Sequence, residues 1–346
     1  MTDQPHRAAR LEARFHTFLE GNLQGRGWAP RLVPYVGYGT TTWVRVLTRV
    51  LLTPRGGTLP RRYGANPELA ADLRGWRRFV SASAVGVPVT VTVAGTSHEV
   101  VSDRDGYVDV RLPASLEPGW QNVSVALEGA ADVIAPVRIV GPGTRLGLVS
   151  DIDDTVIVTM LPRPLVAFRN AFLLRESART PVPGMAELYA DVVAAHPDVF
   201  VVYLSTGAWN TAGAVTRFLH RHGFPRGPLL MTDWGPTATG WFRSGAEHKH
   251  TQLRQLLAEL DGLDWLLVGD DGQHDPTIYA ELAAAHPDRV AGIAIRELSL
   301  GERVVVHGQP VAPSEPPAGT AAETVEVRAP DGFGLRDSLR ARGVVL

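Results

Sequence analysis

The hydrophobic pattern of the chain changes its period near residue 146. Over residues 79–140, apolar and polar residues alternate with a period of two, and turn residues interrupt the alternation at short spacing, as in "VPVTVTVAG" and "GYVDVRLP". A period of two is typical of strands with one buried face. The pattern therefore predicts a β-rich, sandwich-like antiparallel domain over residues 79–141, which also includes a strand from residues 32–52.

From residue 146 onward, apolar strand-like runs alternate with segments of helical period. The apolar runs are 146–149, 200–204, 229–231, 265–268 and 290–295, and the helical segments are 184–195, 212–222, 248–260 and 277–285. Such alternation is typical of a parallel sheet covered by helices. The sequence therefore predicts an α/β fold with a Rossmann-like parallel sheet over residues 142–307.

The two ends of the chain have other patterns. Residues 6–20 predict an amphipathic helix, which we place within an N-terminal basic segment of residues 1–78. Such a helix packs on its own domain or lies on a membrane surface, and the pattern allows both. Residues 308–323 are rich in Pro, Ala and Gly and predict a flexible linker, so we assign residues 308–346 to a linker and C-terminal tail.

Charge and composition narrow the class of protein. The formal net charge is −2 over 346 residues, but residues 1–80 contain thirteen arginines and five acidic residues, a local charge of +8. A basic segment either attracts anionic lipid or forms a solvated surface, so the charge allows peripheral contact with a membrane surface through this region and does not require it. No recognised nucleic-acid-binding module accompanies the charge, and we expect no nucleic acid partner.

Cysteine is absent from the chain, which excludes disulfides, thiolate metal sites and cysteine nucleophiles. The N-terminus is too polar for a secretory signal, and no apolar run approaches the roughly 18 residues of a membrane span. These features predict a cytoplasmic protein, with any membrane contact made peripherally at the inner face.

Carboxylates follow two of the predicted strands. Asp151 and Asp153 follow the run 146–149 after Ser150, and Asp270 and Asp271 follow the run 265–268. Ligands of doubly wound sheets bind beyond the carboxyl ends of the strands, where these acids would meet. Acids so placed repel one another unless a cation lies between them, and hard oxygen ligands with room for water suit Mg²⁺.

The chain also offers hydroxyl and ammonium groups for the same edge of the sheet. Ser205 and Thr206 end the strand-like run of "VFVVYLSTG". Lys249 is the only lysine, whereas the other 33 of the 34 basic residues are arginine. An ammonium is a compact charge that fits beside a carboxylate where the broad guanidinium fork does not, which explains a lone exception to the arginine usage.

The order of these groups resembles the four motifs of haloacid dehalogenase-like phosphotransferases. The strings "SDIDDTVIVT", "VVYLSTGAWN" and "LLVGDDGQHDPTIY" resemble one branch, the catalytic domain of the actin-patch-type phosphatidate phosphatases, over roughly residues 140–300. The stretches "VPYVGYGTTTWVRVLTRVLL" and "SDRDGYVDVRLP" are similar to the β-rich region that precedes this domain in bacterial relatives.

The resemblance implies roles for the groups that would act on phosphate. Asp151 would be the nucleophile and a metal ligand, and Asp153 would be the general acid and base and bind metal through its backbone carbonyl. Lys249 would neutralise charge on Asp151 and on the phosphate. Ser205, with Thr206 beside it, would hold the phosphoryl oxygens, and Thr155 would shape the loop around the substrate.

The resemblance also implies the remaining metal ligands. Asp270 would be the last carboxylate ligand of the metal, and Asp271 or Asp275 would support it. Asp275 precedes Pro276, so its sequence context fits the start of a helix equally well. The resemblance thus implies a haloacid dehalogenase-type sheet with Mg²⁺ as cofactor.

The stretch "MLPRPLVAFRNAFLLRESARTPVPGM" is too short for a large cap domain, so we predict a small cap and an open site. Five of its apolar residues would lie against lipid: Leu161, Leu165, Phe168, Phe172 and Leu173. The expected reaction is Mg²⁺-dependent hydrolysis of a phosphate monoester through an aspartyl-phosphate, with phosphatidate giving diacylglycerol. The alternatives are a phosphatase of soluble nucleotide or sugar phosphates, and a catalytically idle membrane-associated binding protein.

Overall fold

The computed structural model describes residues 28–54, 82–158, 179–232, 241–299, 301–302 and 324–344. The chain divides into two compact units, residues 1–141 and residues 142–346. Each unit has its own sheet, and each is described by itself.

The first unit is built on a nine-stranded sheet. Its strands are β1 (Trp28–Pro34), β2 (Gly37–Thr40), β3 (Trp43–Pro54), β4 (Ala82–Ser83), β5 (Pro88–Val93), β6 (Thr96–Val101), β7 (Tyr107–Pro113), β8 (Gly119–Ala126) and β9 (Val133–Val140). The order is β1-β3-β2-β9-β8-β5-β6, and β4 and β7 also pair with β3. All these pairings are antiparallel except that of β2 with β9.

The apolar residues that alternate with polar ones in the sequence form the core of this unit. Val89, Val91 and Val93 of β5 are buried, while the residues between them are not, and β8 and β9 contribute Val123 and Val137 to the same cluster. The predicted antiparallel strands are thus confirmed.

The single strand predicted over residues 32–52 was wrong, because the end of β1, all of β2 and most of β3 fall within that range. Gly37 and Gly39 explain the difference. A Cβ on Gly37 would lie 2.2 Å from the carbonyl oxygen of Arg45, and one on Gly39 would lie 2.1 Å from that of Trp43. These two glycines let β2 fold back tightly onto β3, which a search for apolar alternation does not detect.

The second unit contains a six-stranded parallel sheet of order β14-β13-β10-β15-β16-β17. Its strands are β10 (Leu146–Asp151), β13 (Phe200–Ala208), β14 (Leu229–Thr232), β15 (Asp264–Asp270), β16 (Val290–Arg296) and β17 (Glu326–Ala329). A two-stranded antiparallel pair, β11 (Ile157–Val158) and β12 (Thr180–Pro181), lies outside this sheet.

Helices connect the strands of the second unit. They are α1 (Met185–Ala195), α2 (Ala212–Arg221), α3 (Trp241–Glu259), α4 (Asp275–Ala285) and α5 (Gly332–Ala341), with 3₁₀ turns at Trp209–Thr211 and Pro287–Arg289. The five strands and four helices predicted between residues 146 and 295 are confirmed. The strands of the sheet interior are almost continuously buried, as expected where helices cover a parallel sheet.

The C-terminal elements β17 and α5 belong to the second unit, although the predicted domain ends at residue 307. β17 extends the sheet beside β16, and Leu335 and Leu339 of α5 are fully buried. The four-residue strand follows a Pro-rich stretch and is too short for a periodic signal. The assignment of residues 308–346 to a linker and tail is therefore corrected over residues 324–344.

Several predictions fall on residues outside the described part of the chain. They are the helix over residues 6–20, the small cap with its five lipid-facing residues, and the linker over residues 308–323. Among the described helices, none combines the length and apolar character that crossing a membrane requires.

Candidate active site

The sheet order brings the predicted site residues to one edge. β10 lies between β13 and β15, and all three strands are parallel, so their carboxyl ends meet. Asp151 ends β10, Asp270 ends β15, and Ser205 lies in the last part of β13. This edge is where ligands bind in open α/β sheets.

Three buried carboxylates converge there. One oxygen each from Asp151, Asp270 and Asp275 lies within 4.8 Å of the others. Asp275 is the first residue of α4, which begins five residues after β15 ends and thus returns this acid to the strand end. We name these three residues the acid cluster.

Lys249 lies against the acid cluster. Its Nζ donates hydrogen bonds to Asp151 Oδ1 at 2.7 Å and to Asp275 Oδ1 at 2.5 Å. The lysine side chain is 3% exposed, so both ion pairs lie in a region that excludes water. A charge-assisted pair in such a region is far stronger than one at the surface.

The remaining oxygens of the acid cluster have no protein partner. Oδ2 of Asp151, of Asp270 and of Asp275 is buried and accepts no hydrogen bond in the structure. Leaving a buried carboxylate oxygen unsatisfied is costly, and one ammonium does not balance three carboxylates. The cluster therefore fits a bound metal ion, and its all-oxygen donor set is that of a hard cation.

The protonation of the cluster reflects its burial. Burial raises the pKa of Asp151 to about 7, and the carboxylates of Asp275 and Asp153 add to the rise against the opposing charge of Lys249. The pKa of Asp270 also lies well above its usual value, first because of burial and then because of Asp275 and Asp151. Burial alone would lower the pKa of Lys249, but the surrounding carboxylates outweigh it and raise the pKa.

Asp153 and Ser205 are joined across the edge of the sheet. Ser205 Oγ donates to Asp153 Oδ2 at 3.1 Å and accepts a hydrogen bond from the Gly207 amide at 2.9 Å. Thr206 is half-buried beside Ser205, and its carbonyl accepts from Thr232 Oγ1. Asp153 thus faces the second strand of the site, and Asp151 faces Lys249.

The loop after β10 folds back on itself. Asp154 has a left-handed backbone with φ of 58°, and its amide donates to the Ile157 carbonyl at 2.8 Å. The amides of Val156 and Ile157 both donate to the carbonyl of Ile152. Thr155 is fully buried inside this loop, and its hydroxyl has no hydrogen-bond partner.

Asp271 has different surroundings from its neighbour Asp270. Its Oδ1 accepts a hydrogen bond from the Leu298 amide at 2.9 Å, whereas Oδ1 of Asp270 accepts from the Gly272 amide at 2.7 Å. Asp271 is not part of the acid cluster. Its role as a metal ligand stays a prediction, as do the roles of the other site residues.

Sequence reasoning did not identify two residues that support the site. Tyr189 of α1 hydrogen-bonds Ser150 at 2.6 Å, and Ser150 donates to the carbonyl of Asp151. Arg296 ends β16 and donates to the carbonyl of Asp154. Neither lies in a recognisable motif, so no local signal in the sequence points to them.

Comparison with known proteins gives a match that covers the second unit. Residues 146–297 match the protein family described as "Phosphatidate phosphatase APP1, catalytic domain". The matched range begins with β10 and ends one residue after β16, so it contains Asp151, Asp153, Ser205, Lys249 and the rest of the acid cluster.

Two fungal proteins are similar in sequence. The phosphatidate phosphatase APP1 of Saccharomyces cerevisiae is 27% identical, and the similarity covers 63% of this chain and 39% of the yeast protein. An uncharacterized protein of Schizosaccharomyces pombe is 25% identical over 44% of this chain and 25% of its own length. The chain thus spans well under half of the relatives that it matches.

Among solved structures, the class C acid phosphatase from Bacillus anthracis with tungstate bound is 16% identical. The likeness covers 47% of this chain and 66% of that protein, with a TM-score of 0.28. A TM-score this low does not establish a shared fold.

Proposed function

We propose that this chain is a metal-dependent phosphatase acting on phosphatidate, because residues 146–297 match the family of the phosphatidate phosphatase APP1 catalytic domain. The observation that carries the proposal is the acid cluster with its single ammonium. Three buried carboxylates and one lysine can bind a divalent ion and a phosphoryl group together, and a purely structural cluster gains nothing from such repulsion.

Asp151 is the nucleophile in this proposal. One of its carboxylate oxygens attacks phosphorus, the bond from phosphorus to the lipid oxygen breaks, and Asp153 gives that oxygen its proton, which releases diacylglycerol. Water then loses a proton to Asp153 and attacks the aspartyl-phosphate, so that the bond to Asp151 breaks and phosphate leaves. The Ser205 hydrogen bond orients Asp153 for both transfers.

The acid cluster would hold the metal, which we propose to be Mg²⁺. The ligands would be Asp151, Asp270 and Asp275, whose Oδ2 atoms have no hydrogen-bond partner, together with the backbone carbonyl of Asp153. The ion, when bound, offsets the negative charge shared by the carboxylates and the phosphoryl group.

Lys249 and the hydroxyl groups would bind the phosphoryl oxygens. Lys249 already contacts Asp151 Oδ1, so its ammonium lies beside the nucleophile and would offset the negative charge of a phosphoryl group that approaches it. Ser205 and Thr206 lie on the adjacent strand, and the unpartnered hydroxyl of Thr155 offers a further donor inside the loop. We also propose that the parallel sheet is of the haloacid dehalogenase type, with a small cap.

A substrate panel tests this function. Purified protein is assayed with phosphatidate in mixed micelles and with soluble nucleotide and sugar phosphates, in Mg²⁺ and in EDTA. We expect phosphatidate to be hydrolysed in the presence of Mg²⁺ and not in the presence of EDTA. Faster turnover of the soluble esters would replace the lipid assignment, and the absence of turnover with every substrate would leave the binding-protein alternative.

Asp151→Asn tests whether Asp151 is the nucleophile. The amide keeps the shape of the side chain but cannot act as a nucleophile, so we expect turnover to fall by about 10⁴-fold or more while the protein remains folded. Asp261→Asn is the control, because Asp261 is exposed in the turn after α3. Equal activities for the two variants would rule out Asp151 as the nucleophile.

A further inference from the structure

Arg296 lies at the carboxyl end of β16, next to the site but outside the acid cluster. Its side chain is 6% exposed, and its guanidinium binds three separate segments of the chain. Nη1 donates to the carbonyl of Asp154 at 2.8 Å, Nε donates to that of Pro330 at 3.1 Å, and Nη2 donates to Glu302 Oε1 at 2.5 Å.

The contact with Asp154 fixes the part of the loop that is hardest to hold. A non-glycine residue with positive φ has a strained backbone and persists only where its surroundings impose it. Asp154 has a φ of 58° and directly follows Asp153, the proposed general acid. A buried, charged donor on the Asp154 carbonyl imposes that geometry from outside the loop.

The other two contacts anchor the guanidinium itself. Pro330 directly precedes Asp331, which caps α5 by accepting a hydrogen bond from the Gly334 amide. Glu302 pairs with Arg296 and also accepts from the Ser299 amide. Arg296 is thereby held by chain segments that lie beyond residue 297, where the family match ends.

From this geometry we infer that Arg296 is a positioning residue of the proposed reaction, which holds the loop after the nucleophile in its working shape. The inference rests on the proposed function, since the loop carries Asp153. It also assigns a role to the C-terminal segment, because Pro330 and Glu302 keep the guanidinium aimed at Asp154. Only an arginine fork can serve three acceptors placed around one plane.

The chain provides a matched control at the other end of the same strand. Arg289 directly precedes β16 and also donates to two backbone carbonyls, those of Leu263 and Leu260, at 2.9 and 2.8 Å. Arg289→Met removes hydrogen bonds of the same kind but touches no part of the site. If Arg296→Met loses more activity than Arg289→Met, the additional loss therefore reports on the position of the loop after β10 rather than on general stability.

The experiment compares Arg296→Met with Arg289→Met in the full chain. For Arg296→Met, we expect kcat on phosphatidate in Mg²⁺ to fall about 30-fold with KM within about threefold, since small displacements of catalytic groups cost up to about 100-fold. For Arg289→Met, we expect kcat within about threefold of wild type. Equal kcat values for the two variants at matched unfolding temperature would overturn the inference.

Amide hydrogen exchange gives a readout that does not require turnover. The amides of Asp154, Val156 and Ile157 are hydrogen-bonded within the loop. We expect them to exchange at least about tenfold faster in Arg296→Met and at the wild-type rate in Arg289→Met. Unchanged exchange in Arg296→Met would overturn the inference, whereas an inactive wild type whose loop still responds would overturn the proposed function alone.

Arg296→Lys replaces Arg296→Met in both experiments if the methionine variant does not fold. Lysine keeps the charge but offers no planar fork, so it cannot serve all three acceptors at once. We expect the same pattern with a smaller fall in kcat, about five- to tenfold. Wild-type kcat and loop exchange in Arg296→Lys would contradict the inference.

Discussion

At the scale of single residues, Lys249 shows most clearly why a residue type is fixed. Its ammonium contacts two buried carboxylates at hydrogen-bond distance, and only 3% of the lysine side chain is exposed. A guanidinium is wider, and its fork would have to displace either Asp151 or Asp275. The chain uses arginine at every other basic position, so this site selects for the compact cation.

Lys249→Arg should therefore lose activity although it conserves charge. We expect kcat to fall about 100-fold or more, the size of effect seen when one donor to a developing charge is misplaced. Steady-state kinetics on phosphatidate measure the change. Arg254→Lys, the reverse exchange at an exposed position of the same helix, should be neutral. Near wild-type kcat for Lys249→Arg would refute this explanation of the lone lysine.

The acid cluster should also make the metal-free protein sensitive to pH. The pKa of Asp151 is raised in the folded state to about 7, so the folded protein holds more protons than the unfolded chain between pH 4 and 7. The stability that this proton contributes is present at low pH and is lost as the pH rises through about 7. The raised pKa of Asp270 acts in the same direction.

We therefore expect the unfolding temperature in EDTA to fall from pH 5 to pH 8 more steeply in the wild type than in Asp151→Asn. The difference should be several degrees, since about 1 kcal/mol corresponds to about 2–4 °C in a domain of this size. Thermal unfolding followed by circular dichroism measures it. Mg²⁺ should raise the wild-type value most at pH 8, where the carboxylates are free to bind. Parallel pH profiles of the two proteins would count against the raised pKa of Asp151.

At the scale of elements, the sequence predicts the strands and helices that have a strong hydrophobic period. Five strands and four helices between residues 146 and 295 follow from hydrophobic period, because each must bury one face or both. β17 was missed because a strand of four residues has no measurable period, and α5 was missed with it because the whole segment after the Pro-rich stretch was assigned to a tail. The order of strands in the sheet is a property of long-range pairing, which no local pattern contains.

The site residues also divide into those that could be placed from the sequence and those whose position depends on the fold. Asp151 and Asp270 could be placed from sequence because both end buried strands. Asp270 and Asp271 are adjacent, and neighbouring side chains of an extended chain point in opposite directions, so they cannot both face the cluster by default. Asp275 reaches it because α4 begins there, a placement that depends on how the helix turns back over the strand end.

The packing of α5 against the start of α1 gives a prediction for the C-terminal elements. A Cβ on Gly332 would lie 2.2 Å from the backbone carbon of Gly184, and Gly332 donates its amide to the Pro183 carbonyl. Backbone on both sides of this contact cannot move aside as a side chain would. Two elements far apart in sequence are thus held together through a close approach of main chains.

Gly332→Ala should therefore destabilise the protein although alanine favours helices. We expect a loss of about 2 kcal/mol or more in the free energy of unfolding, because overpacked sites typically cost about 1–3 kcal/mol. Chemical denaturation measures it. Gly262→Ala is the control, since a Cβ at Gly262 meets no atom within 4 Å. Equal stability of the two variants would mean that α5 does not depend on this contact.

At the scale of the whole molecule, the excess of positive charge and the candidate site lie in different units. The acid cluster, Lys249 and Arg296 all lie within residues 142–346, which contain 18 basic and 24 acidic residues, a net charge of −6. The excess of positive charge lies in residues 1–80. The proposed hydrolysis and the predicted attraction to an anionic surface would therefore belong to different parts of the chain.

Expressing residues 142–346 alone should separate the two properties. We expect this fragment to keep Mg²⁺-dependent turnover of a soluble aryl phosphate within about tenfold of the full chain, because every group of the site is present. The full chain should sediment with phosphatidylserine vesicles at low salt and largely detach at about 0.5 M salt, where screening is strong, whereas the fragment, which lacks the basic segment, should sediment much less at low salt and respond little to salt. Neutral phosphatidylcholine vesicles are the control. A fragment that sediments like the full chain would place the lipid contact in the second unit and remove any such role from the basic segment.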